Sequence, residues 1–220
     1  MIRFENVSKR YAQEERNILN HTSFRVSPGE MAFLMGESGS GKTTILRLLL
    51  RELVADEGVV RVNGQDISRI KSRKLPQYRR KMGVIFQDFR LMKDQTVYEN
   101  VALAKRIVGA GEKDVRAMVT MALRMVEMEQ EFYRPVSELS GGEQQRVCIA
   151  RAITGNPYCI LADEPTGNLD PRQAREIMLL LERVHQLGIT VLVATHDEAA
   201  IRDMKYPKLY LEHGSIISGE

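Results

Sequence analysis

Met31-Ala32-Phe33-Leu34-Met35-Gly36-Glu37-Ser38-Gly39-Ser40-Gly41-Lys42-Thr43-Thr44 is the stretch that decides the fold. Its first five residues are wholly apolar, as a parallel strand covered on both faces should be. Gly36 to Thr43 then fit G-x-x-x-x-G-K-[ST], and the helical run Thr44–Leu50 follows; strand, glycine turn and helix are the context this pattern requires. Gly36, Gly39 and Gly41 let the backbone wrap a phosphate chain, with Ser38 and Ser40 between them. Successive N–H groups and the helix N-terminus then point at the anion. Lys42 offers a point charge to the outer phosphates, Thr43 a hydroxyl for Mg²⁺, and Thr44 extends the same wall.

Outward from this loop, short apolar runs alternate with amphipathic helical patterns, which predicts an α/β protein with a mostly parallel sheet. Strands are expected at Ile2–Phe4, Ser23–Val26, Met31–Met35, Val59–Val62, Met82–Phe86, Tyr158–Ala162, Thr190–Ala194 and Leu209–Glu212. Helices are expected to begin near Lys42, Val97, Glu112, Gly142, Pro171 and Glu198, and Asn63-Gly64 reads as a tight hairpin turn. The first 65 residues are richer in strands and roughly Val97–Val136 richer in helix. That contrast predicts one domain with a helical insertion.

Composition removes most other classes. A chain of 220 residues, 43% hydrophobic and 28% charged, can bury a core without disulfides or metal. No window of the sequence approaches 18 uninterrupted apolar residues, and Met1-Ile2-Arg3-Phe4-Glu5 reads as a strand, so a cytoplasmic location is expected. The balance of 32 basic against 29 acidic residues is too even to argue for nucleic acid. Cys148 and Cys159 lack any metal-binding or redox spacing and read as buried thiols.

A second chemical element is Tyr158-Cys159-Ile160-Leu161-Ala162-Asp163-Glu164, an apolar strand ending in two carboxylates. Asp163 suits Mg²⁺ and Glu164 suits polarising a water for attack on the γ-phosphate. The third is Leu139-Ser140-Gly141-Gly142-Glu143-Gln144, which opens a helix and makes a separate anion site.

With Gln145 and Arg146 this last run reads LSGGEQQR, and on it the chain resembles the ATP-binding cassette (ABC) ATPases. The resemblance implies an ABC-type P-loop nucleotide-binding domain: a mostly parallel RecA-like core, an N-terminal antiparallel β region and a helical subdomain over about residues 97–153. It also implies roles. Gln87 matches the Q-loop glutamine, which reaches the metal; Asn168-Leu169-Asp170 matches the D-loop, His196 the switch histidine and Tyr11 the aromatic that stacks on adenine. Two cassettes of this family pair head to tail, so Ser140, Gly141 and Gly142 would contact ATP bound to the opposite subunit.

Within the family, Arg80-Lys81-Met82-Gly83-Val84-Ile85-Phe86-Gln87-Asp88 and Thr96-Val97-Tyr98-Glu99-Asn100-Val101 resemble the cell-division cassettes. These imply an FtsX-like integral membrane partner, other division proteins, a place on the cytoplasmic membrane face, and mechanical activation of peptidoglycan hydrolysis. The ATPase of a lipoprotein-release, macrolide-export or other solute transporter would share every catalytic residue. An ABC ATPase acting on DNA or ribosomes is disfavoured, because 220 residues leave no room for a long coiled coil or tandem cassettes.

The resemblance implies that the partner docks in the groove between the Q-loop and the helical insertion, and Phe89 and Leu91 are expected there as docking side chains. Met118, Met121, Met125 and Met128 either line that groove or pack the insertion's own core. Lys71, Arg73, Lys74, Arg79, Arg80 and Lys81 read as a solvated face, with a membrane-proximal role as the alternative. Two departures from the cell-division pattern are Glu37, whose side chain must point away from phosphates, and the acidic segment Glu52–Gly58.

Overall fold

Alternating apolar side chains build one sheet and mostly continuous apolar runs the centre of a second in the computed structural model, which describes residues 1–12 and 16–218. Strands β1 (Ile2–Lys9), β2 (Leu19–Val26), β4 (Glu57–Val62) and β5 (Gln65–Asp66) form an antiparallel sheet in the order β2-β1-β4-β5. Strands β3 (Met31–Met35), β6 (Met82–Ile85), β7 (Cys159–Asp163), β8 (Thr190–Thr195), β9 (Lys208–Glu212) and β10 (Ser215–Ser218) form the second, in the order β10-β9-β3-β8-β7-β6. Every pairing in it is parallel except that of β10 with β9. This is the α/β class and antiparallel N-terminal region that the sequence predicts.

Because neighbouring side chains of a strand point to opposite faces, the parallel sheet serves two cores. Phe33, Met35, Ala162 and Val193 face one core, which runs on into the helices α3 (Val97–Arg106), α4 (Glu112–Met125), α5 (Gly141–Thr154) and α6 (Pro171–His185). Ala32, Leu34, Leu161 and Leu192 face the other, with α1 (Lys42–Leu49) and the antiparallel sheet. Parallel register sets Met35 beside Thr195 and Asp163 beside Ala194. The chain therefore leaves β3, β7 and β8 side by side at their carboxyl ends, where open α/β sheets place their ligands.

Several elements differ from expectation. No helix begins at Glu198; residues 198–203 form consecutive turns, with bonds such as Met204 N–H to the Ile201 carbonyl. Pro207 must already be at the sheet, where its carbonyl takes the Phe33 N–H, so the segment is too short to repay helix nucleation. The short α2 (Leu75–Arg79), β5 and β10 were not foreseen. Asn63-Gly64 does form the expected hairpin, with both residues at positive φ and Val62 opposite Gln65.

The methionines divide between the two readings. Met128 is buried and Met125 packs against the core, while Met121 is 66% exposed. The cationic residues from Lys71 to Lys81 are exposed, and Arg79 donates to the carbonyls of Leu50 and Arg51. Among the described residues no helix is long and apolar enough to cross a membrane. Cys148 and Cys159 are buried, and burial pushes both thiols up to about 12. Neither should react with iodoacetamide at pH 7.5 until the chain is unfolded; mass spectrometry of native and denatured samples checks this.

Candidate active site

The phosphate loop is shaped by glycine where nothing else fits. A Cβ on Gly36, at φ +153°, would lie 2.7 Å from both the Leu211 carbonyl oxygen and Ser40 Oγ. Gly41, at φ +111°, turns the chain into α1. Lys42 is only 5% exposed, and its Nζ donates to the carbonyls of Gly36 (2.7 Å) and Glu37 (3.0 Å). Ser38 and Gly39 are exposed at the tip of the loop, as is Glu37, consistent with an acid held off the phosphate wall. Thr44 Oγ1 lies 3.1 Å from the Tyr11 hydroxyl, which ties the aromatic ring to the start of α1. The acidic departure at Glu52–Gly58 helps to place that ring. Asp56 accepts from Lys9 Nζ and from the Arg10 N–H, both at 2.7 Å, and these contacts hold its carboxyl below the usual range.

The two carboxylates after β7 face different partners. Asp163 Oδ1 accepts from Thr43 Oγ1 at 3.2 Å; burial raises the carboxyl's pKa, against the opposing pull of Thr43, Lys42 and Arg90. Glu164 stands at φ +45°, its N–H bonded to the Ala194 carbonyl, so its side chain turns back across the sheet. Its carboxylate is 3.2 Å from Lys42 Nζ on one side and 3.0 Å from His196 Nδ1 on the other. Lys42 at the head of α1, Glu164 just after β7 and His196 just after β8 thus meet at one carboxylate.

Gln87, Asn168 and Asp170 lie on the adjoining edge. Asn168 Nδ2 donates to the Gln87 carbonyl at 3.1 Å. The Gln87 side chain lies against Gly167, where an added Cβ would sit 2.8 Å from its Nε2, and it makes no hydrogen bond to Thr43 or Asp163. The Asp170 carboxylate caps α6, accepting the N–H groups of Arg172 and Gln173 at 2.9 Å. In the signature turn, Ser140 and Glu143 form a reciprocal capping box on α5. Gly141 packs near Leu169, and a side chain on Gly142 would crowd Gln173, whose amide lies 3.2 Å from the added Cβ. Among the described residues this turn makes no hydrogen bond to the Gly36–Thr43 loop.

Phe89 and Leu91, expected as docking side chains, are half-buried and pack against the helical core. Sequence reading also missed how this segment is held. The Phe89 carbonyl accepts from Cys148 Sγ (3.2 Å) and Arg151 (2.8 Å), and Arg151 also reaches the Arg90 carbonyl. Arg90 lies 3.7 Å over the Phe86 ring.

Known proteins resemble this chain in sequence and fold. The family profile described as "ABC transporter" matches residues 19–167. The cell division ATP-binding protein FtsE of Escherichia coli K12 is 46% identical over 219 residues, covering 100% of this chain and 98% of the relative. FtsE of Mycobacterium tuberculosis is 42% identical over 220 residues, covering 100% and 96%. Among solved structures, the dimeric post-hydrolysis ATP-binding cassette MJ0796 with ADP and Pi has a TM-score of 0.88 at 34% identity, covering 100% of this chain and 98% of that one. CbiO1 of Clostridium perfringens has a TM-score of 0.91 at 27% identity, covering 98% and 86%. With a phosphate loop, a paired-carboxylate strand and a signature helix placed as described, the chain belongs to the ABC transporter family, as one of its ATP-hydrolysing cassettes.

Proposed function

We propose that this chain is the ATPase subunit of a cell-division complex, in which two copies pair head to tail around ATP and drive an FtsX-like integral membrane protein to activate peptidoglycan hydrolysis. It would sit at the cytoplasmic membrane face through that partner. The observation that carries the chemistry is the Lys42–Glu164–His196 chain, which links the head of α1 to the ends of β7 and β8. The end-to-end likeness to cell-division ATP-binding proteins supports the biology.

In this reading the outer phosphates of ATP compete with Glu164 for Lys42. Once Lys42 turns to them, the freed Glu164 oxygen accepts a proton from the attacking water, while His196 holds the other oxygen. The water oxygen bonds to the γ-phosphorus, the bond to the β-bridging oxygen breaks, and ADP and phosphate leave. The Thr43 hydroxyl and Asp163 carboxylate are hard oxygen donors 3.2 Å apart and fit Mg²⁺, with the Gln87 amide oxygen as a third ligand. Bound there, Mg²⁺ would neutralise phosphate charge. Tyr11 stacks on adenine, Gly36 to Thr44 wrap the phosphates, Asp170 fixes the D-loop beside the γ-phosphate, and the helical subdomain over about 97–153 carries the signature.

Ser140, Gly141 and Gly142 would close on the nucleotide of the second copy. Ser140→Ala should therefore cut kcat about ten- to hundredfold in the assembled complex. The lost cap alone costs only about 1 kcal/mol. Steady-state ATPase assays check this, and unchanged turnover would remove the turn from the opposite site.

The membrane partner's seat is assigned to the groove of about 450 Å³ between α2, β6, α3 and α5, lined by Arg79, Arg80, Val84, Ile107 and Arg151. Ile107 is 53% exposed, so Ile107→Glu leaves the fold intact. Affinity purification from gently solubilised membranes should recover a four-span protein with a large extracytoplasmic domain, lost in that variant. A many-span permease in its place would make the chain a transporter motor.

A further inference from the structure

Gln145 is fully buried in α5, and among the described residues neither its amide oxygen nor its amide nitrogen has a hydrogen-bond partner. A buried amide that makes no bond bears its whole desolvation cost. Helix spacing places Gln145 on the face shared by Gly141 and Cys148. Both of those meet Phe89: a Cβ on Gly141 would lie 4.0 Å from its Cζ, and Cys148 Sγ is 3.2 Å from its carbonyl. The orphaned amide therefore lies under the Phe89 segment.

That segment is itself strained. Phe89 and Arg90 are consecutive non-glycine residues in the left-handed region, at φ +59° and +48°. The Phe89 carbonyl is held by Cys148 and Arg151, and the Gln87 carbonyl two residues earlier by Asn168. Helix spacing thus sets the unmet amide on the face of α5 that the strained segment covers, and a rearrangement of that segment would relieve both.

We propose that Gln145 is a positioning residue for ATP hydrolysis: its amide takes a backbone group of Phe89–Leu91 when Gln87 turns from Gly167 toward the nucleotide, locking Q-loop and signature helix into one unit. The inference rests on the reading of Gln87 given above. In the nucleotide-free state the amide only costs stability; in the bound state it fixes where Gln87 stands relative to Ser140. The two signals, one for this chain's nucleotide and one for its partner's, then travel on a single hydrogen bond.

The test is Gln145→Leu and, in parallel, Gln145→Met, which keep the volume and remove the amide. In the full chain, kcat should fall about tenfold with KM for ATP held within about twofold. The melting temperature of the nucleotide-free protein should be unchanged or raised by a few degrees, since an unpaired polar group leaves the core. Hydrogen exchange supplies a second reading: ATP should protect the Phe89–Leu91 amides in a Glu164→Gln background and fail to do so when Gln145 is also Leu. Wild-type kcat in both variants, or a loss of activity matched by a lowered melting temperature, would overturn the proposal. A wild-type chain that never hydrolyses ATP is a different result and overturns the reading of the site.

Discussion

Glu164→Gln is expected to lose turnover by at least about a hundredfold while binding ATP as well as the wild type, or more tightly. The size of the side chain is kept, so the φ +45° turn and the Ala194 bond that aim it are kept too. What disappears is the carboxylate proposed to accept the water's proton. The variant also loses the ion pair with Lys42, whose nitrogen lies 3.2 Å from Glu164 in the nucleotide-free state. Lys42 is then released to phosphate without having to leave a carboxylate, and the gain in affinity should be severalfold. Without hydrolysis to open it, the ATP-bound pair should accumulate as a dimer, a population shift read directly by light scattering. Steady-state hydrolysis within tenfold of wild type would take the role of base away from Glu164.

The candidate nucleotide site was legible in the sequence because its chemistry restricts residue type. Only glycine fits at Gly36 beside the Leu211 carbonyl, and a buried strand that ends in Asp163 and Glu164 stands out against its own apolar run. The parallel sheet was legible for the same reason: strands such as Thr190–Thr195 are buried along their whole length and read as continuous apolar runs. What the sequence hid depends on contacts between distant segments. Glu198 follows Asp197, whose side chain accepts the Ala200 N–H as a helix cap would, but the chain returns to the sheet before a helix can form. Phe89 and Leu91 carry the composition of an exposed docking loop. Both are half-buried, and Phe89 is held by Cys148 and Arg151 of α5, some sixty residues away, which bond its carbonyl. For Gln145 a signal did exist. It breaks the apolar face that Cys148 and Ala152 continue, and a polar residue at such a position asks what it bonds.

The acidic departures follow the same rule. Asp56 looked out of place because its partners, Lys9 and the Arg10 N–H, lie more than forty positions away. Once paired, it fixes the end of β1, and Tyr11 follows directly. Glu37 is tolerated because the loop uses its backbone carbonyl, to which Lys42 donates, and leaves the side chain exposed.

Lys42→Ala should weaken ATP binding by at least about a hundredfold, close to 3 kcal/mol, because the lost contact is a charge-assisted bond in an enclosed site. It should also leave the nucleotide-free protein less stable. The carbonyls of Gly36 and Glu37 lose their shared donor, and Glu164, only 14% exposed, keeps His196 as its remaining partner. These two losses have separate origins and can be told apart. Adding Glu164→Gln to Lys42→Ala removes the uncompensated carboxylate, so the melting temperature should recover in part. Affinity for ATP should not recover, since no cation has returned to the outer phosphates. Calorimetry on the wild type, both single variants and the double variant supplies both quantities. Affinity in Lys42→Ala within threefold of wild type would place the phosphates elsewhere. Recovery of binding along with stability would mean that Lys42 acts on the loop's shape alone. Separate behaviour of the two quantities would identify one lysine that holds the resting site together through Glu164 and, by leaving it, arms the same carboxylate for hydrolysis.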